Sequence, residues 1–113
     1  MNRMFEKNLE IGFLLDFYGD ILSERKRTVL DYYYNNDLSL SEIAEEIGIS
    51  RQGVRELIKK AEDELLFYEE KLGLAARFRQ AGEQAKRLLE LLREQGAGRE
   101  IMEAAEDLAK SVR

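Results

Sequence analysis

At 113 residues the chain is long enough for one domain that buries roughly 65 % of the surface its unfolded form exposes, and too short for a second independent core. It holds no cysteine and no histidine, which removes disulfides, zinc fingers, thiol nucleophiles and the usual imidazole base, so the sequence calls for no metal or cofactor and argues against an enzyme. The formal net charge is −5, and the acids gather early: residues 1–74 carry sixteen acids against ten bases, the remainder seven against eight. Because DNA affinity rests on neutralising phosphates, so acidic a reader must concentrate its bases on one edge. Zero proline, in a chain dominated by helix-forming residues, predicts an all-helical fold.

In chain order, Ile11–Leu15 is an apolar run, but Glu6, Lys7 and Glu10 precede it and Asp16 ends it. It is too short and too charged for a signal peptide or a spanning helix, which predicts a cytosolic protein that does not insert into a membrane. Asn8 to Tyr18 reads as a core-facing helix, with Leu9, Phe13 and Phe17 four apart and Ile11, Leu14, Leu15 and Tyr18 widening the stripe. Gly19 and Asp20 break it, and Ser23 caps a second helix running to about Asn35 through Val29, Leu30 and Tyr33. Asn35, Asn36 and Asp37 form a loop, after which Ser39 and Glu42 make a capping box.

Leu40 to Leu57 carries the spacing of a helix-turn-helix. Ile43 and Ile47 share one face of a first helix, and Ala44 beside them leaves room for a second helix to cross closely. Gly48 permits the left-handed conformation that ends the first helix, and Ile49 plugs the corner. Ser50 caps the second helix, whose inner face is lined by Val54, Leu57 and Ile58. The seam continues through Ala61, Leu65, Tyr68 and Leu72, so this helix should run from Arg51 to Leu72, about 33 Å, with Gly73 as its stop. Leu74, Phe78, Ala81, Ala85, Leu88 and Leu92 then repeat as a heptad seam that wants a helical partner. Gly96 and Gly98 interrupt it, and Ile101, Ala105, Leu108 and Val112 begin another stripe placed to fold back as a hairpin. The expected organisation is a helix-turn-helix domain over residues 1–74, with the motif at about 39–64, and a helical tail over 75–113 that serves oligomerisation or intramolecular packing. A two-fold homodimer is the default assembly.

In a helix-turn-helix the start of the second helix faces the major groove, so the outward residues are Ser50, Arg51, Gln52, Gly53, Arg55, Glu56 and Lys59. Arg51 and Arg55 lie one turn apart and offer bidentate donors to guanine or phosphate, while Gln52 can pair with adenine. The same pattern also suits a solvated face. Gly53 costs roughly 1 kcal/mol against alanine in a helix interior, so either another group approaches closely there or the surface tolerates the loss. Glu42, Glu45, Glu46, Glu62, Asp63 and Glu64 count against DNA: residues 39–64 hold four bases and seven acids. Arg25, Lys26 and Arg27 form the densest basic patch, and with Tyr32 and Tyr34 they suit single-stranded RNA, although such tyrosines more often pack half-buried. Neighbouring carboxylates such as Glu45 with Glu46 and Glu69 with Glu70 diverge by about 100° and read as solvated faces, not acid-base pairs.

FLLDFY from Phe13 to Tyr18, LSERKR after it, the tyrosine-rich DYYYNNDLSLSEIAEEIGISRQ and then YEEKLGL together resemble the YlxM family of small bacterial proteins over roughly residues 9 to 80. Leu22 to Leu66 is also similar to the DNA-binding fourth region of bacterial sigma factors. Two positions depart from the pattern, with Gly53 where alanine is expected and Arg55 where the family often has tyrosine. The resemblance implies an accessory or regulatory role in the signal recognition particle pathway, because the family's genes tend to lie beside those of the particle's GTPase and its receptor. The expected partners are that GTPase, the particle RNA, or both. A DNA-binding transcriptional regulator is the alternative.

Overall fold

The computed structural model describes residues 8–112, so Glu6 and Lys7, which weigh against a leader, lie outside the described residues. All described secondary structure is helical: α1 (Leu9–Tyr18), α2 (Glu24–Leu30), α3 (Leu40–Ile47), α4 (Arg51–Leu72), α5 (Leu74–Glu94) and α6 (Arg99–Ser111). The chain divides into two compact units, one through Leu72 and one from Gly73 onward. No described helix is long and apolar enough to cross a membrane.

The first unit is built around α4, against which α1, α2 and α3 all pack. Val54, Ile58, Ala61 and Leu65 form one stripe along α4 and are fully buried. Their spacing of four, three and four keeps them on a single face. Against them lie Ile11, Leu14 and Tyr18 of α1, Val29 and Leu30 of α2, and Ile43 of α3, each at most 1 % exposed. Burying a side chain of this size contributes about 1.5–3 kcal/mol, so this contact carries the fold.

The helix boundaries follow local chemistry. Ser23 Oγ accepts the Lys26 N–H at 3.3 Å, and Ser39 and Glu42 form the reciprocal capping box, at 3.1 and 2.8 Å. Gly48 takes φ 75°, and the N–H groups of Gly48 and Ile49 both donate to the Ala44 carbonyl, which closes α3 and turns the chain into α4. A residue with a Cβ would be strained at that φ.

Two sequence expectations need correction here. The stripe of α1 is rotated: Leu9 is 89 % exposed and Phe13 and Phe17 are half-buried, while Ile11, Leu14, Leu15 and Tyr18 face the core. Leu9 opens the helix, whereas the steps of three, one and three from Ile11 to Tyr18 match the face that meets α4. The second helix also loses regularity after Leu30. Residues Asp31–Asn35 form a wide π turn, in which the Asn36 N–H donates to the Asp31 carbonyl and the Leu38 N–H to that of Tyr32. Tyr33 is thereby buried and Tyr34 comes within hydrogen-bonding reach of Glu62.

Around the apolar seam, carboxylates of α4 hold the neighbouring segments. The Tyr18 hydroxyl donates to Glu69 at 2.6 Å, the Lys26 ammonium to Glu64 at 2.7 Å, and the Tyr34 hydroxyl to Glu62; Tyr68, on α4 itself, also donates to Glu64. Glu69 is thus no merely solvated carboxylate. Hydrogen bonds from Lys26 and Tyr68 lower the pKa of Glu64, whereas burial raises that of Glu62 against the opposing effect of Tyr34. Burial, followed by the bond to Glu62, also holds the Tyr34 hydroxyl well above the usual phenol range.

The second unit is a helical hairpin of α5 and α6. Its turn is a Schellman motif, with the Ala97 N–H on the Leu92 carbonyl and that of Gly96 on the Arg93 carbonyl. The seam differs from the expected heptad: Ala85 and Ala105 are buried, Phe78, Leu89, Leu92, Met102 and Ala109 are half-buried, and Leu74 and Leu88 lie 47 % and 41 % exposed. Small residues bring the helices close. A Cβ on Gly82 would stand 2.5 Å from the Val112 carbonyl oxygen, so the end of α6 seats on bare α5 backbone there.

Two outcomes follow. Gly82→Ala should destabilise the hairpin by about 1–3 kcal/mol despite alanine's higher helix propensity, read as lost amide-exchange protection in α6 with α1–α4 unchanged. Glu64→Gln should cost about 1 kcal/mol at pH 7, because a pKa lowered by folding stabilises above the ordinary carboxylate range and that stability disappears as pH falls through the lowered value. Thermal melts of wild type and variant should therefore differ at neutral pH, and the difference should shrink as pH falls below the ordinary carboxylate range.

Candidate functional site

The helix-turn-helix leaves the first turns of α4 open on the side away from its buried stripe. Arg51, Gln52, Glu56, Lys59 and Lys60 are exposed, Arg55 is half-buried, and Gln52, Arg55, Glu56, Lys59 and Lys60 line an open groove. Residues 51–60 carry four bases and a single acid, Glu56, in a unit that is acidic as a whole. The partial positive charge of a helix N-terminus adds to this field. The local sign of this surface is therefore opposite to that of the unit.

The geometry accounts for several acids that count against an anionic partner. Glu62 and Glu64 are part-buried and accept hydrogen bonds from Tyr34, Lys26 and Tyr68, so neither is a free charge beside the open start of α4. Lys59 does have a neighbour: its ammonium lies 2.9 Å from Asp63, which raises its pKa. Both side chains are well exposed, at 69 % and 57 %, so a partner can displace this pair at little cost. On α3, Glu42 is held in the capping box, and Glu45 and Glu46 are exposed.

Ser50 acts first as a cap, since its Oγ accepts the Gly53 N–H at 2.9 Å. Gly53 is explained by the same corner: a Cβ there would meet Ser50 Oγ at 3.1 Å and Ile49 Cδ1 at 3.4 Å. The close approach is made by the turn itself, and no ligand is needed to account for the glycine.

The basic cluster on α2 is divided by its partners. Lys26 is tied to Glu64, and Arg27 bonds Asp20 and lies 3.9 Å from Asp31. Arg25 is exposed and forms no ion pair with a described residue. Tyr32 and Tyr34 are half-buried, and Tyr34 is committed to Glu62. Glu64, which anchors Lys26, lies roughly 20 Å along α4 from Arg51, so the two basic groups do not form one site. Lys60 belongs to the α4 groove and was absent from the sequence-based set; its place next to Lys59 and four residues beyond Glu56 is the helical signal for it. Among the described residues no three His, Cys, Asp or Glu side chains are grouped to hold a metal ion.

Comparison with known proteins places this arrangement in a family. A UPF0122 protein of Thermoanaerobacter sp. strain X514 is 41 % identical over 107 residues, covering 92 % of each chain. One from Halalkalibacterium halodurans is 42 % identical over 105 residues, covering 93 % of this chain and 96 % of its own. One from Acetivibrio thermocellus is 49 % identical over 89 residues, covering 79 % and 74 %. A family model for YlxM / p13-like helix-turn-helix proteins matches residues 5–107, and the chain belongs to that family, UPF0122.

Proposed function

We propose that this protein is a regulatory accessory of the signal recognition particle pathway, acting in the cytoplasm by binding and modulating the pathway's GTPase without catalysis of its own. The observation that carries the reading is the exposed basic start of α4, presented by a helix-turn-helix in a chain of the YlxM / p13-like family. The pathway itself is drawn from the YlxM resemblance. A partner that binds two states of a GTPase unequally shifts their equilibrium, so a protein with no chemistry of its own can alter GTP turnover.

Within this reading the α4 face is the favoured contact for protein. The α2 cluster is the contact if particle RNA is the target, but Lys26 and Arg27 would first have to leave their carboxylates, which leaves Arg25 as its ready donor. The second reading, a DNA-binding transcriptional regulator, is favoured by the same four bases and by Gln52 at the start of a helix of the groove-entering type.

The deciding experiment measures GTP turnover by the purified GTPase with and without this protein, in the presence and absence of particle RNA. A change in turnover that is lost in Arg51→Ala/Arg55→Ala is expected. Unchanged turnover under every condition, with no binding by calorimetry, overturns the reading. The alternative predicts duplex DNA binding whose salt slope falls by about one for each phosphate contact removed at these arginines.

A further inference from the structure

Glu56 is the single acid among residues 51–60, and the fold gives it no task. It is exposed and lines the α4 groove beside Arg55, one turn from Gln52, Lys59 and Lys60. Lys59 and Lys60 stand three and four residues on, where a helical carboxylate ordinarily finds its cation. Lys59 pairs with Asp63 instead, and neither Glu56 nor Lys60 forms an ion pair with a described residue. A helix-dipole role does not fit either, because that effect falls off within the first turn and Glu56 is the sixth residue of α4. Other acids of this unit are employed: Glu42 completes a capping box, and Glu62, Glu64 and Glu69 hold neighbouring segments.

A surface that tracks a phosphate backbone gains from every base and loses from an acid standing among them. Glu56 is a helical neighbour of both Lys59 and Lys60, so a phosphate seated on those ammoniums meets its charge at short range. A protein surface can instead offer both signs, with carboxylates for Arg55, Lys59 and Lys60 and a guanidinium or ammonium for Glu56. Specificity of this kind comes from what a site repels as much as from what it attracts.

We propose that Glu56 is the specificity-determining residue of the α4 groove: it accepts hydrogen bonds from a basic side chain of the protein partner, set among that partner's carboxylates, and turns phosphate backbones away. The inference rests on the reading of this face as the contact for the signal recognition particle GTPase, and adds the kind of surface it takes, a base bordered by acids.

The test compares full-length wild type, Glu56→Gln and Glu56→Asp in titrations against the purified GTPase and against mixed-sequence duplex DNA. Glu56→Gln keeps the shape and removes the charge. Its affinity for the duplex should rise roughly fivefold at low salt, a gain that shrinks as salt is added, while its affinity for the GTPase should fall roughly fivefold. A change in the folded fraction would move both affinities together, so opposite signs report the groove itself. Glu56→Asp keeps the charge and should leave duplex binding at the wild-type level. Unchanged duplex affinity in Glu56→Gln overturns the proposal, and reduced duplex affinity overturns it in favour of a contact between Glu56 and a base edge. If wild type binds the GTPase and Glu56→Gln binds it equally well, the role of Glu56 alone fails. If wild type does not bind the GTPase, the pathway reading fails and the proposed partner with it.

Discussion

The first unit depends on one helix facing two ways. Along its inner side, Val54, Ile58, Ala61 and Leu65 supply the surface that α1, α2 and α3 all cover. An apolar seam alone resists sliding poorly, since one buried aliphatic contact can replace another at modest cost. The carboxylates beside it supply direction. Glu69 reaches Tyr18, Glu64 reaches Lys26 and Glu62 reaches Tyr34, so each of three separate segments is held to α4 by a polar tie at the edge of the core. Such part-buried bonds specify a single arrangement because breaking one leaves a poorly hydrated polar group behind.

This use of acids changes how the charge of the unit is understood. Counted along the chain, residues 39–64 look hostile to any anionic partner. Placed in space, two of those acids work inward, one is part of a capping box, and one neutralises Lys59 in an exposed pair. The start of α4 consequently presents bases with little acid among them. Net charge describes solubility and long-range steering, whereas the sign at a binding surface follows from where each side chain is held.

Much of the fold was legible in the sequence because its punctuation is local. Ser39 with Glu42, Gly48, Ser50 and the run of apolar residues from Val54 to Leu65 each encode a helix boundary or face within a few residues, and the helix-turn-helix needs nothing more. The tyrosine–carboxylate ties were not legible, since their partners stand 28 and 51 residues apart and any acid on the exposed edge of α4 looks alike in one dimension. The π turn after Leu30 escaped for a related reason: three consecutive tyrosines suit a regular helix, and only the demand that Tyr33 go inward while Tyr34 meets Glu62 favours the wider turn. Leu9 failed as a core residue because periodicity fixes a stripe only to within a residue or two at a helix end. In the candidate site, the outward face of α4 followed from the motif, while the division of Arg25, Lys26 and Arg27 among different partners required the tertiary contacts.

The central claim is that the first turns of α4 are the working surface, freed for that role by acids directed elsewhere. Amide hydrogen exchange of the full chain, recorded alone and with saturating signal recognition particle GTPase, tests it most directly. The account predicts added protection concentrated in the peptides spanning Gln52 to Lys60. Protection confined to α1, α2 or the α5–α6 hairpin, with that stretch unchanged, would contradict it.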